Sequence, residues 1–148
     1  MRHLWPGALL LALACAAHPL AAQQKGAEGV ARRLKEKPDA AWSRGMSPVG
    51  ASLTGALGAD GSARFSVNLT AGRTYAVIGL CDADCHDLDL RLFDPDGVEA
   101  NADVEPDDAP YVLVTPRRTG AYQVRAYMAE CRSATCAFGI QLFVRQAR

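Results

Sequence analysis

The run CDADCHDLDLRLFDPDG, residues 81–97, gathers the side chains of this sequence that are best equipped for chemistry. Cys81 and Cys85 bracket Asp82 and Asp84, and His86 follows. Asp87, Asp89, Asp94 and Asp96 continue the acidic series, and Cys131 and Cys136 supply a second cysteine pair further on. Thiol, imidazole and carboxylate suit three chemistries: a metal centre, a redox pair, or a disulfide beside a charged sheet edge. A redox Cys-x-x-Cys is absent. A Cys₄ zinc set has its ligands available, but neither pair has the two-residue spacing of a zinc ribbon.

The compartment favours disulfides. Arg2 and His3 open the chain, an apolar run covers residues 9–17, and the small residues Ala21 and Ala22 follow. That order of charge, apolar core and small residues is that of a secretory signal, expected over residues 1–22 with cleavage after Ala22. Cys15 lies within it. A lipid anchor there is disfavoured, because alanine stands where a lipoprotein signal prefers leucine. Taking 22 residues from 148 leaves 126, which suits one domain and holds four cysteines. An even number of cysteines in an exported chain implies disulfides, with three pairings open. Local pairs, Cys81 with Cys85 and Cys131 with Cys136, are preferred. A disulfide holds Cα atoms about 4.4–6.8 Å apart, whereas four extended residues span about 13 Å. Residues 82–84 must then turn tightly. Cross-pairing requires both loops at one end of the fold.

The acids have two readings. Residues 82–108 carry eleven acids and one base, Arg91, within a chain whose 16 basic and 16 acidic residues otherwise balance. Asp82, Asp84, Asp87, Asp94 and Asp96 form a candidate calcium set, since calcium takes six to eight oxygen ligands. The EF-hand spacing is not met. The competing reading is a solvated acidic face with turn-forming aspartates. His86 is the one histidine beyond residue 22, and no G-x-S-x-G elbow accompanies it, which disfavours a hydrolase. Trp42, Tyr111, Tyr122 and Tyr127 could furnish a carbohydrate or peptide platform. Tyr127 and Phe143 stand out because they fall on the polar phase of their segments.

The elements that must position these residues read as strands. Residues 23–48 suggest a linker or short helix around 27–37, which Pro38 would interrupt. From residue 49 the apolar period becomes two. Strands are expected around 51–57, 65–69, 74–80, 88–92, 111–114, 122–128 and 138–144, with turns at 58–61, 71–72, 94–97 and 119–120. Asp94-Pro-Asp-Gly97 carries its own mechanism, because proline presets φ and glycine permits the reversal. Seven or eight short antiparallel strands make an all-β sandwich over residues 49–148, jelly-roll-like in type. No stretch beyond the signal is long enough to cross a membrane as a helix, and no basic excess invites nucleic acid.

Three segments in order resemble a known family: residues 64–75 (RFSVNLTAGRTY), residues 87–97 (DLDLRLFDPDG) and residues 119–125 (TGAYQVR). They are similar to the bacterial pre-peptidase C-terminal (PPC) domain and the related collagen-binding-domain type of β-sandwich, over roughly residues 49–145. The resemblance implies a jelly-roll-like sandwich serving as an accessory or binding module beside a secreted protease. Some relatives bind calcium. This chain carries no protease and adds four cysteines. The expectation is an exported, non-catalytic binding or interaction module of the bacterial periplasm or exterior, with calcium as a candidate stabilising ion and a protein or polysaccharide partner. The alternative is a structural or stability partner in the cell envelope with no discrete ligand.

Overall fold

Strands that alternate apolar and polar residues can bury only one face, whereas strands apolar throughout must be covered on both. This chain contains both kinds, and their difference organises the molecule. The computed structural model describes residues 18–36 and 45–146, with side chains from residue 24 onward. The described residues contain one helix, α1 (His18–Glu36), and eight strands: β1 (Met46–Leu57), β2 (Ser62–Leu69), β3 (Tyr75–Cys81), β4 (Cys85–Phe93), β5 (Glu99–Asp103), β6 (Tyr111–Val114), β7 (Gly120–Cys131) and β8 (Cys136–Arg145). They form two four-stranded sheets, ordered β1-β8-β3-β6 and β2-β7-β4-β5, with every pairing antiparallel. Consecutive strands pass from one sheet to the other except at β4 and β5, which pair within one sheet, in the order of a jelly roll. Cys15 and Trp42 lie outside the described residues, as do residues 1–17 of the expected signal.

The main core lies between the sheets. Leu88, Leu90 and Leu92 of β4 point inward, as do Tyr122, Val124, Ala126 and Met128 of β7, and all are buried. Phe138 and Ile140 of β8 meet them from the other sheet. The alternation read from the sequence therefore placed these residues correctly.

A second, smaller core lies on the far side of the first sheet. Every residue of β3 is buried, and β8 is buried from Cys136 through Gln141. The outward residues Ala76, Ile78, Leu80, Ala137 and Phe143 pack beneath α1, against Val30 and Leu34. Val30 and Leu34 are one helical turn apart, so they share a face. This explains Phe143, whose place on the polar phase of β8 marked it out in the sequence: that phase faces the helix. Gly139 makes the close approach possible. A Cβ there would sit 2.8 Å from both Val30 Cγ1 and Leu34 Cδ1. Arg33 ties the helix down by donating to the Cys81 carbonyl at 2.8 Å and pairing with Asp108 at 3.7 Å. Where the sequence suggested a marginal helix near 27–37, the structure has a longer one that crosses residue 22 and docks on the sheet. Tertiary packing on this apolar face stabilises α1 beyond what its propensity supplies.

Two further departures have local causes. The first strand begins at Met46 rather than near residue 51, with two extra residues bulged out between Val49 and Leu53. The buried Gln141 side chain fills the bulge by donating to the Val49 carbonyl at 3.1 Å. Strand β5 lies where the apolar alternation of the sequence marks no strand. Its inward positions are Asn101 and Asp103, which lie opposite Leu92 and Leu90, while its outward positions include Ala102. The usual polarity is inverted. Asn101 Nδ2 donates to the Leu113 carbonyl and Asp103 accepts from the Tyr111 amide, each at 2.7 Å. These bonds stitch the edge strand of one sheet to the edge strand of the other.

Both disulfides are local: Cys81–Cys85 and Cys131–Cys136, each with Cα atoms 5.8 Å apart. Residues 82–84 turn, as that pairing requires. Cys85 and Cys131 face one another in the β4–β7 ladder, so both loops lie at one end of the sandwich, and the pairing is local even though cross-pairing geometry is near at hand.

Two measurements check this architecture. A non-reducing tryptic digest should yield residues 74–91 as one internally bridged peptide, and residues 126–132 joined to 133–145; a link from 74–91 to either of the others would contradict it. Leu34→Ala should lower stability by about 2 kcal/mol in urea melts, because it opens a cavity beneath the helix.

Candidate functional site

The five aspartates expected as one calcium set do not come together. Asp82 and Asp84 belong to the disulfide end. Asp82 Oδ2 accepts from the Ala137 amide at 2.6 Å and its Oδ1 from the Asp84 amide at 3.2 Å. Asp84 accepts from the Ser133 hydroxyl at 2.6 Å. Both carboxylates thus join the two disulfide loops. Asp94 and Asp96 lie beyond the other end of β4, roughly 27 Å of extended chain away. Asp94 Oδ1 accepts from the Asp96 and Val98 amides at 2.9 Å each, closing a turn completed by Gly97 at φ 81°. Arg118 pairs with both acids. Among the described residues, no group of three or more His, Cys, Asp or Glu side chains is placed to hold a metal ion. His86 is exposed, with no hydrogen-bonded partner on its ring among the described residues.

Asp87 stands apart from these structural acids. It occupies an irregular step in β4, opposite Glu130. Its Oδ1 is buried and unpaired. Desolvation, then Asp107 and Glu130, push its carboxyl above the ordinary aspartate range. Asp89 is raised by desolvation and by Asp87, against a lowering influence from Arg91.

The outer face of the second sheet carries a different arrangement. Arg64 on β2 faces Arg125 on β7, and Arg125 faces Arg91 on β4. Three guanidinium groups therefore stand in one row across three adjacent strands. Like charges directly opposite one another destabilise a sheet. Arg91 is neutralised by Glu99 at 2.8 Å. Among the described residues, neither Arg64 nor Arg125 has an ion-pair partner, and the buried Nε of Arg125 has no acceptor. Parallel rows flank this one: Ser62, Tyr127 and Asp89 on one side, Ser66, Gln123 and Phe93 on the other. Tyr127 is fixed at both ends. Its hydroxyl donates to Asp60 Oδ1 at 2.6 Å, and the Arg125 guanidinium lies 5.8 Å from its ring centre. That hydrogen bond is the chief reason its phenol titrates above the ordinary range. Asp89, Arg91, Phe93, Glu99, Arg125 and Tyr127 line an open cleft of about 360 Å³.

Of the aromatic residues singled out in the sequence that are among the described residues, only Tyr127 belongs to this face. Tyr122 is buried between the sheets, its hydroxyl donating to the Arg118 carbonyl at 3.1 Å. Tyr111 packs against the core beneath the helix. The sequence reading missed the arginine row and Phe93. Each arginine lies on the outward phase of its strand, which was legible. That they fall in register was not, because register depends on strands distant in sequence.

Fold and site together define a disulfide-stapled jelly-roll sandwich with one sheet face covered by a helix and the other, among the described residues, open and polar. No protein-family model and no curated protein matches the chain. A solved structure of similar course is that of Aeromonas hydrophila PliG, a periplasmic lysozyme inhibitor of g-type lysozyme, at 12% identity and a TM-score of 0.48 over 64% of this chain and 84% of that one. At that identity and score the likeness bears on neither the fold nor the site.

The Asp87 environment makes a pH-dependent expectation. Its carboxyl holds a proton more tightly in the folded chain than in the unfolded one, so folding stability falls as pH rises through and just above the ordinary aspartate range. Asp87→Asn removes that loss. At pH 7 the variant should be more stable by about 0.5 kcal/mol, a figure kept small by solvent screening. The gain should vanish below about pH 4. Urea melts across this range check it; an equal gain at pH 3 would contradict the electrostatic cause.

Proposed function

We propose that this chain is an exported, non-catalytic binding module whose working surface is the open outer face of the β2-β7-β4-β5 sheet. One observation carries the reading: the two sheets are treated differently. The outer face of β1-β8-β3-β6 is roofed by α1, whereas the opposite face presents an in-register arginine row and an anchored tyrosine beside a cleft. Charged rows of this kind oppose folding, so their presence on the uncovered face is better accounted for by a ligand than by stability.

Export is supported by the signal-like leader and by two disulfides, which persist in oxidising compartments. Among the described residues no helix is long and apolar enough to cross a membrane. Kinship with the PPC-type sandwich is part of the proposal. Its three motif segments fall on β2 with the start of β3, on β4 with its turn, and on β7, which are the strands that build the open face and its neighbour. A catalytic role gains no support from His86, whose ring is exposed.

Blocking the face tests the reading whatever the ligand is. Ser66→Trp and Gln123→Trp add bulk at neighbouring exposed positions of the face. The double variant should fold and keep both disulfides, yet sediment with purified cell-envelope material at least severalfold less than the native protein. Leu113→Trp, at an exposed position on the other sheet, should sediment normally. Equal retention of all three proteins would overturn the proposal.

A further inference from the structure

The arginine row specifies the ligand's chemistry. Resting on the binding-face reading above, we infer that this face takes an acidic polysaccharide, its sugar carboxylates seated on Arg64 and Arg125. Guanidinium forks match carboxylates bidentately, and these two stand on neighbouring strands about 4.8 Å apart. Arg91 is not free to join them, because Glu99 already holds it. The half-buried Arg125 carries a second mark of an absent partner, since its Nε is a buried donor with no acceptor. Buried donors are ordinarily satisfied, and an exception calls for an explanation.

The rest of the cleft separates a sugar polymer from an acidic peptide. Asp89 and Glu99 share the lining with Arg91 and Arg125, and Arg64 stands beside the cleft on β2. A peptide whose polar side chains are all carboxylates would meet repulsion from both. A uronate chain carries hydroxyl groups between its carboxylates, and those hydroxyls can donate to Asp89 and Glu99. Phe93 and Tyr127 lie on either side of the Arg91–Arg125 pair and offer flat apolar surface to the C–H faces of sugar rings. The Asp60 bond holds the tyrosine ring in place before any ligand arrives. A mixed cleft of guanidinium, carboxylate and ring surface therefore fits a chain that is anionic, hydroxylated and flat-faced.

Calorimetric titration of the oxidised, full exported protein with oligogalacturonate tests this directly. Saturable binding is expected, weakening as salt is raised. Arg125→Gln and Arg64→Gln should each reduce affinity about tenfold or more, with circular dichroism and disulfide mapping unchanged. The carboxyl-reduced, neutral oligosaccharide should bind far more weakly, and poly-L-glutamate should bind less tightly than oligogalacturonate. Absence of binding, unchanged affinity in both arginine variants, or preference for poly-L-glutamate or the neutral sugar would overturn the ligand assignment. None of those results touches the envelope-retention experiment, which depends on blocking the face and not on its charge.

Discussion

Strand β3 is buried along its whole length and β8 along most of its own, on both faces, and that single fact constrains everything around them. A sandwich of two sheets covers only their inner sides. The outer sides of Ala76, Ile78, Leu80 and Phe143 need another layer, and α1 supplies it with Val30 and Leu34. Gly139 lets the helix approach, and Arg33 fastens it to the end of β3. Once the first sheet is roofed in this way, the described residues leave one sheet face uncovered, and the polar rows of β2, β7 and β4 form it.

The acidic segment that looked most chemical serves mainly as structure. Asp82 and Asp84 bind backbone and hydroxyl donors across the paired disulfide loops, Asp94 closes a turn, and Asp103 joins the edges of the two sheets. Carboxylates placed on loop amides organise chain reversals that short loops could not hold alone. The disulfides act at the same end of the sandwich as Asp82 and Asp84. Closing such short loops adds less stability than closing long ones, so covalent and hydrogen-bonded links there work together. Asp87 is the exception among these acids, lacking a donor for its buried oxygen.

The open face shows the opposite economy. Its arginines repel across the ladder, yet nothing among the described residues neutralises Arg64 or Arg125. Natural sheets normally place opposite charges or small polar residues at facing positions. Here the unfavourable arrangement sits beside a tyrosine locked by Asp60 and a cleft open to solvent. A surface built against its own stability, on a face that no described element covers, is where a ligand contributes most.

The alternation of Leu88, Leu90 and Leu92 or of Tyr122, Val124, Ala126 and Met128 is a property of neighbouring residues, so the sequence alone determined those strands, their inward faces and the all-β class. Cysteine spacing, set against the reach of a disulfide, likewise determined that residues 82–84 must turn if the pairing is local. Strand β5 escaped because its inward residues, Asn101 and Asp103, are polar and find their partners distant in sequence on β6, an element of the other sheet. The role of Phe143 escaped because its cover comes from a helix more than a hundred residues earlier. The scattering of the five aspartates and the alignment of Arg64, Arg125 and Arg91 were decided by tertiary structure for one reason. Local periodicity fixes which way a side chain faces, but only the pairing of strands distant in the chain fixes what stands beside it.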